Sequence, residues 1–152
     1  MRRRTCWLLL ALIVAGCMER KKETPLPRQP SLYTRLGGTA RLETVANRFL
    51  ALAASSPELS EPIRQAIRDA DHARQKARLV RSLGAALGGP YPGTQTDLSD
   101  FFDSLGVEIT APDRAVLLSL LNQALKEAGC RADDRKEAIT TIEPGWRGTA
   151  TR

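Results

Sequence analysis

At 152 residues the chain holds one domain with short additions, and its net charge of +6 invites a nucleic-acid reading. That reading fails on distribution. Arg2, Arg3 and Arg4 sit at the extreme N-terminus, several more cations fall between Met18 and Ser31, and the rest are interspersed with Asp and Glu. No aromatic residues interleave with a basic patch, as a single-strand binder needs. One histidine and three cysteines give no zinc cluster and no nucleophile paired with a base. Gly88-Gly89-Pro90 ends a helical pattern instead of opening a phosphate loop. The chain is expected not to be an enzyme.

From the N-terminus, Arg2-Arg3-Arg4 is followed by an apolar run from Trp7 to Ala15. A spanning helix needs about 20 apolar residues, so this run fits the core of a signal peptide over residues 1–16. Its end, Val14-Ala15-Gly16-Cys17, resembles the bacterial lipoprotein signal, with Val14 where that signal most often has leucine. The resemblance implies cleavage before Cys17, acylation of the Cys17 sulfur and amino group, and thereby a membrane partner. Each buried CH₂ contributes about 0.8 kcal/mol, so two or more chains anchor stably. Met18 stands where inner-membrane lipoproteins often carry a retaining aspartate, which implies an outer-membrane, periplasm-facing location in a Gram-negative cell. Residues 17–31 hold Pro25, Pro27 and Pro30 among charges and read as a tether. Arg20-Lys21-Lys22 there reads as solvated or in touch with anionic headgroups.

The domain proper is expected over residues 32–142 and is all-α. Gly37-Gly38 permits a turn, after which Leu42, Val45, Ala46, Phe49, Leu52 and Ala53 mark one buried helical face. Thr39 is expected to cap that helix. After Ser55-Ser56-Pro57, Leu59, Ile63, Ala66, Ile67 and Ala70 mark a second face, and His72 to Leu87 gives a third, stopped by Gly88-Gly89-Pro90. A loop from Tyr91 to Thr96 leads to a short helix over Asp97 to Leu105. Thr110-Ala111-Pro112-Asp113 is a helix start with a threonine cap, proline in the first turn and an acid facing back. The helix it opens, through Leu125 and Ala128, is the most hydrophobic after residue 17. A weaker helix spans Ala132 to Ile142, and residues 143–152, with Pro144, Gly145 and Gly148, read as a frayed, flexible tail. Cys130, without a partner once Cys6 is removed and Cys17 modified, reads as a small packed residue beyond a helix end.

Leu32-Tyr33, Arg35-Leu36-Gly37-Gly38, Leu42, Val45, Phe49 and Pro57-Glu58-Leu59 together resemble the opening of a group-I truncated haemoglobin. Ala86 to Pro90, Leu105-Gly106-Val107 with Thr110, and Leu121, Ala124, Leu125, Glu127-Ala128-Gly129 continue the resemblance in the right order. It implies a truncated-globin helical sandwich from about Leu32 to Ile142 and, with it, haem.

The departures from the family pattern concern the iron. The family's proximal histidine aligns with Phe102 when counted from Leu105, or with Ser104 when counted from Thr110. No histidine, cysteine or methionine lies between Tyr91 and Cys130. On the distal side the family's tyrosine is matched by Leu50, which cannot donate to bound O₂, a loss of roughly 0.5–1.5 kcal/mol or more. The aromatic haem wedge aligns with Pro62 or Ile63. Gln75 falls near the ligand-facing distal position, where an amide can donate, with an exposed helical glutamine as the plainer alternative. His72, the only histidine, could ligate only alone and from the distal side, and otherwise reads as a surface or helix-end residue.

Two functions follow. One is a haem globin that carries or senses O₂ or NO with unusual ligation. The preferred one is a cofactor-free binding or structural lipoprotein in which Phe49, Leu50, Leu79, Phe101 and Phe102 occupy the former haem space. A residual pocket for another small apolar ligand is a third possibility, and no feature points to a particular protein partner.

Overall fold

In a computed structural model of the chain, residues 29–91 and 99–149 are described. The expected signal peptide, Cys17, most of the tether and the loop beyond Tyr91 lie outside them. The described residues form α1 (Leu32–Leu36), α2 (Gly38–Ser55), α3 (Glu61–Asp69), α4 (His72–Ala86), α5 (Ser99–Asp103), α6 (Ala111–Glu127), α7 (Ala132–Ile142) and a 3-10 segment (Glu143–Thr149), with no strand among them. The expected all-α class is therefore the observed one.

The organising helix is α2. Its stripe of Leu42, Val45, Ala46, Phe49, Leu50 and Ala53 is buried, and it packs most extensively on α6 and α4. Gly37 and Gly38 turn the chain into it at φ 105° and 67°, a region open mainly to glycine. The expected Thr39 cap does not form. The helix starts at Gly38 with no side-chain cap, which puts Thr39 inside the first turn. Its hydroxyl instead meets the Tyr33 hydroxyl at 2.5 Å and the Tyr91 hydroxyl at 3.1 Å.

Two helices end as their glycines require. Past α4, Gly89 N donates to Gly84 O at 2.7 Å and Gly88 N to Ala85 O at 3.2 Å. Past α6, Cys130 N donates to Leu125 O and Gly129 N to Lys126 O, both at 3.0 Å. These are paired Schellman bonds that satisfy otherwise orphaned carbonyls. Cys130 is thereby tucked in at 8% exposure. Burial pushes its thiol above the ordinary range, against the opposing pull of Arg41 and Arg135, so it packs as a small apolar residue and not as a reactive thiolate.

The start of α6 is tied to the start of α3. Asp113 is buried. Its carboxylate accepts from the Thr110 hydroxyl and from Ser60 N at 3.0 Å, while Asp113 N donates to the Thr110 hydroxyl at 3.3 Å. At the other end of the fold, α7 is held on α1 by Arg35, which pairs with Asp134 at 3.5 Å and with Glu137.

The expected flexible tail over residues 143–152 is corrected for its first part. Residues 143–149 continue from α7 as a 3-10 segment, and Trp146 is 3% exposed. Its ring lies 5.3 Å from that of Phe102, edge to face, and Phe102 is 4.9 Å from Phe101 in the same manner. Pro144 and Gly145 suggest fraying, but they also allow the tight turn that delivers the indole to the core.

Two outcomes check this packing. Burial alone would raise the Asp113 pKa; hydrogen bonds from Thr110 and Ser60 outweigh it and hold the carboxyl below its usual range. Its contribution is thus present above the unfolded value of about 3.9 and fades as pH falls through the lower folded value. Asp113→Asn is expected to cost about 1–3 kcal/mol at neutral pH in denaturant melts and to flatten the acid limb of stability against pH. Trp146→Ala is expected to cost roughly 3–5 kcal/mol, and native Trp146 emission to be blue-shifted. A Trp146→Ala melt matching the parent, with solvent-like parent emission, would restore the flexible tail.

Candidate functional site

The residues that the family resemblance assigns to haem contact come from α2, α4 and α5. Phe49 (0%), Leu50 (2%), Leu79 (1%), Phe101 (0%) and Phe102 (4% exposed) all belong to one continuous hydrophobic core. α2 supplies the first two from its inward stripe, α4 supplies Leu79, and α5 supplies the two phenylalanines. α4 packs directly on α5, and α5 on the 3-10 segment.

Gln75 is the position where the plain alternative fails. It is 7% exposed, not a solvated helical glutamine. Residues 75, 79 and 83 stand four apart, so Gln75 lies on the same row as buried Leu79 and Leu83. Its Oε1 lies 3.4 Å from the Ser104 hydroxyl. That hydroxyl has a single proton and already donates it to Phe101 O at 2.6 Å. Gln75 Oε1 is therefore the longer of two acceptors that share the one Ser104 proton.

This contact has a steric meaning. Gln75 is the distal-helix candidate and Ser104 one of the two proximal candidates. A porphyrin between them needs about 3.5 Å of clearance on each face, roughly 7 Å in all. The two side chains touch instead. The other proximal candidate, Phe102, is enclosed by Phe101 and Trp146 and has no donor atom. Leu50 also offers no hydrogen bond on the distal side. As they stand, these side chains do not fit haem in the family's manner of ligation.

His72 is the first residue of α4, next to the Asp71 cap, and its ring is exposed. Nε2 lies 3.3 Å from Asn47 Oδ1 on α2. The structure thus places His72 at the surface and does not bring it together with Gln75. Pro62 is exposed and Ile63 fully buried at the start of α3. No group of three or more His, Cys, Asp or Glu able to hold a metal occurs among the described residues.

A separate groove of about 420 Å³ lies on α6 and α7, lined among others by Leu118, Asn122, Arg135 and Ile139. No residue of α2, α4 or α5 contributes to it, so it is not a remnant of a haem slot. Trp146 is the site residue that sequence reasoning missed. The signal was an aromatic residue isolated among Pro144, Gly145 and Gly148, outweighed by the breakers around it.

The comparisons agree with this architecture. A family model described as bacterial-like globin matches residues 31–146. The group 1 truncated hemoglobin GlbN of Mycolicibacterium paratuberculosis (strain ATCC BAA-968 / K-10) is 29% identical over 114 residues, 75% of this chain and 79% of that protein. The crystal structure of truncated hemoglobin from Tetrahymena pyriformis in the Fe(III) form superposes with a TM-score of 0.65 at 20% identity, covering 81% of this chain and all of that one. A point mutant of the same Tetrahymena protein, also in the Fe(III) form, gives 0.66 at 19% identity over the same shares. With a helical sandwich built on α2 and a family match across nearly the whole described domain, the chain belongs to the bacterial-like globin family.

Proposed function

We propose that this chain is a membrane-anchored lipoprotein whose truncated-globin domain has given up haem and acts as a non-enzymatic binding or structural module. The observation that carries the reading is the contact at 3.4 Å of Gln75, the distal candidate, with Ser104, one of the two proximal candidates. Around it, Phe101, Phe102 and Trp146 interlock edge to face. Each aromatic pair contributes about 0.5–1.5 kcal/mol beyond its area burial. Opening the slot would forfeit those contacts, and no imidazole waits on the proximal side to offset the loss. The anchor rests on the sequence ending in Cys17, and the cell-envelope location, outer membrane facing the periplasm, rests on Met18 following it.

The competing reading is a haem globin that carries or senses O₂ or NO through unusual ligation. Family membership and the exposed ring of His72 favour it. Haemin titration of the chain from residue 17 with Cys17→Ser separates the two. The expected outcome is no saturable Soret change and no stoichiometric quenching of Trp146. A sharp Soret shift at one equivalent, abolished by His72→Ala, would establish the competing reading. The anchor is read separately: the intact chain recovered from membranes is expected to carry the mass of its acyl groups, and Cys17→Ser to release it from the membrane fraction.

A further inference from the structure

The surface of α4 is charged with one sign only. Between His72 and Ala86 the helix contains Arg74, Lys76, Arg78 and Arg81 and no acid. Arg74, Arg78 and Arg81 are spaced i, i+4 and i+7, which places them within about 60° of arc on one face. That face is turned away from the buried row of Gln75, Leu79 and Leu83. Arg74 and Arg81 are exposed and Arg78 half-buried. The nearest acid in sequence, Asp71, spends its carboxylate on Arg74 N as the helix cap.

Elsewhere several arginines are matched by carboxylates, while exposed Arg131 is not and exposed Arg41 reaches only the Ala128 carbonyl. Arg35 reaches Asp134 and Glu137, Arg48 reaches Glu127, and Arg64 and Arg68 both reach Glu61. The three guanidiniums along α4 have no carboxylate partner among the described residues. Like charges at these spacings destabilise a helix, so the stripe opposes folding unless something outside the domain neutralises it.

The position of the stripe names the candidate. The chain enters the domain beside the C-terminal end of α4. Tyr33 N donates to Leu87 O at 2.8 Å, and the Ser31 Cβ lies 3.4 Å from where a Cβ on Gly88 would stand. Arg81 is six residues back along the helix, about 9 Å. Residues 17 to 30 span at most about 50 Å when fully extended. Acyl chains on Cys17 would therefore keep the headgroup layer within reach of the stripe.

We infer that the Arg74–Arg78–Arg81 face of α4 docks on the anionic phospholipid headgroups of the membrane to which the chain is tethered. The inference rests on the lipid-anchor reading for its biological setting. Guanidiniums pair phosphate oxygens two at a time, which suits a phosphate-rich surface better than a scattered one. Nucleic acid is the less favoured polyanion, because the stripe carries no aromatic residue on which a base could stack.

The test takes the chain from residue 17 with Cys17→Ser, so that no acyl group contributes, and sediments it with vesicles. Binding is expected to phosphatidylcholine vesicles that contain phosphatidylglycerol and not to phosphatidylcholine alone, and to fall with added NaCl. The triple variant Arg74→Glu, Arg78→Glu, Arg81→Glu is expected to bind at least about tenfold more weakly. Reversal of Arg20, Lys21 and Lys22 should cost less. A triple Gln variant guards against misfolding: it keeps helix propensity, relieves the repulsion, and is expected to melt no lower than the parent while losing the binding. No binding to the anionic vesicles, equal binding by the Gln variant, or tighter binding to duplex DNA than to vesicles would overturn the inference. An unacylated Cys17 in the envelope-derived chain would sink the anchor reading and leave the vesicle result intact.

Discussion

The direct contact between α4 and α5 is the constraint on which the rest of this molecule depends. In a fold of this family those elements are expected to stand apart around a porphyrin. Here Gln75 meets Ser104, just past α5, and Phe101, Phe102 and Trp146 pack edge to face in the same core. A protein interior tolerates few voids larger than a water molecule. On the proposed haem-free reading, a shell without an iron donor is more stable when hydrocarbon fills its slot. Leu50, where the resemblance aligns a tyrosine, and Phe102, one of the two positions where it aligns a histidine, act in that direction together. Trp146 joins the same core from the 3-10 segment.

The fold was largely legible in the chain because its signals are local. The stripe of α2, the Thr110 cap with Asp113 three residues on, and the glycines at 88 and 129 each state their structure within a few residues. The misreadings share one cause, which is that tertiary partners are invisible at that range. Thr39 offers a capping hydroxyl, but Gly37 in the left-handed region starts the helix earlier and Tyr33 and Tyr91 claim the oxygen. Gln75 is polar, and polarity suggests solvent, yet its spacing from Leu79 and Leu83 assigns it to the buried row. Trp146 sits among helix breakers, and only the rings of α5 give it a reason to be ordered.

The candidate site divides in the same way. The absence of a histidine after Tyr91 is written in the sequence, and so is the departure at Leu50. What residue pattern alone does not contain is the response of the fold to those losses, whether an open pocket or a closed one. That outcome depends on Gln75 meeting Ser104 and, separately, on Trp146 meeting Phe102. The electrostatics add a second layer. The conspicuous polar feature of α4 is turned outward, as three guanidiniums with no carboxylate partner among the described residues, near the place where the chain enters the domain.

The central claim is that Gln75 on α4 meets Ser104, the residue just past α5, in the resting protein. Nuclear Overhauser contacts in solution read this directly. The account predicts cross-peaks between the Gln75 side-chain amide and the Ser104 β-protons, and between the Phe102 ring and the Trp146 indole, unchanged by one equivalent of haemin. Absence of those cross-peaks, with α4 and α5 amides shifting into a second, haem-saturated set of resonances, would contradict it.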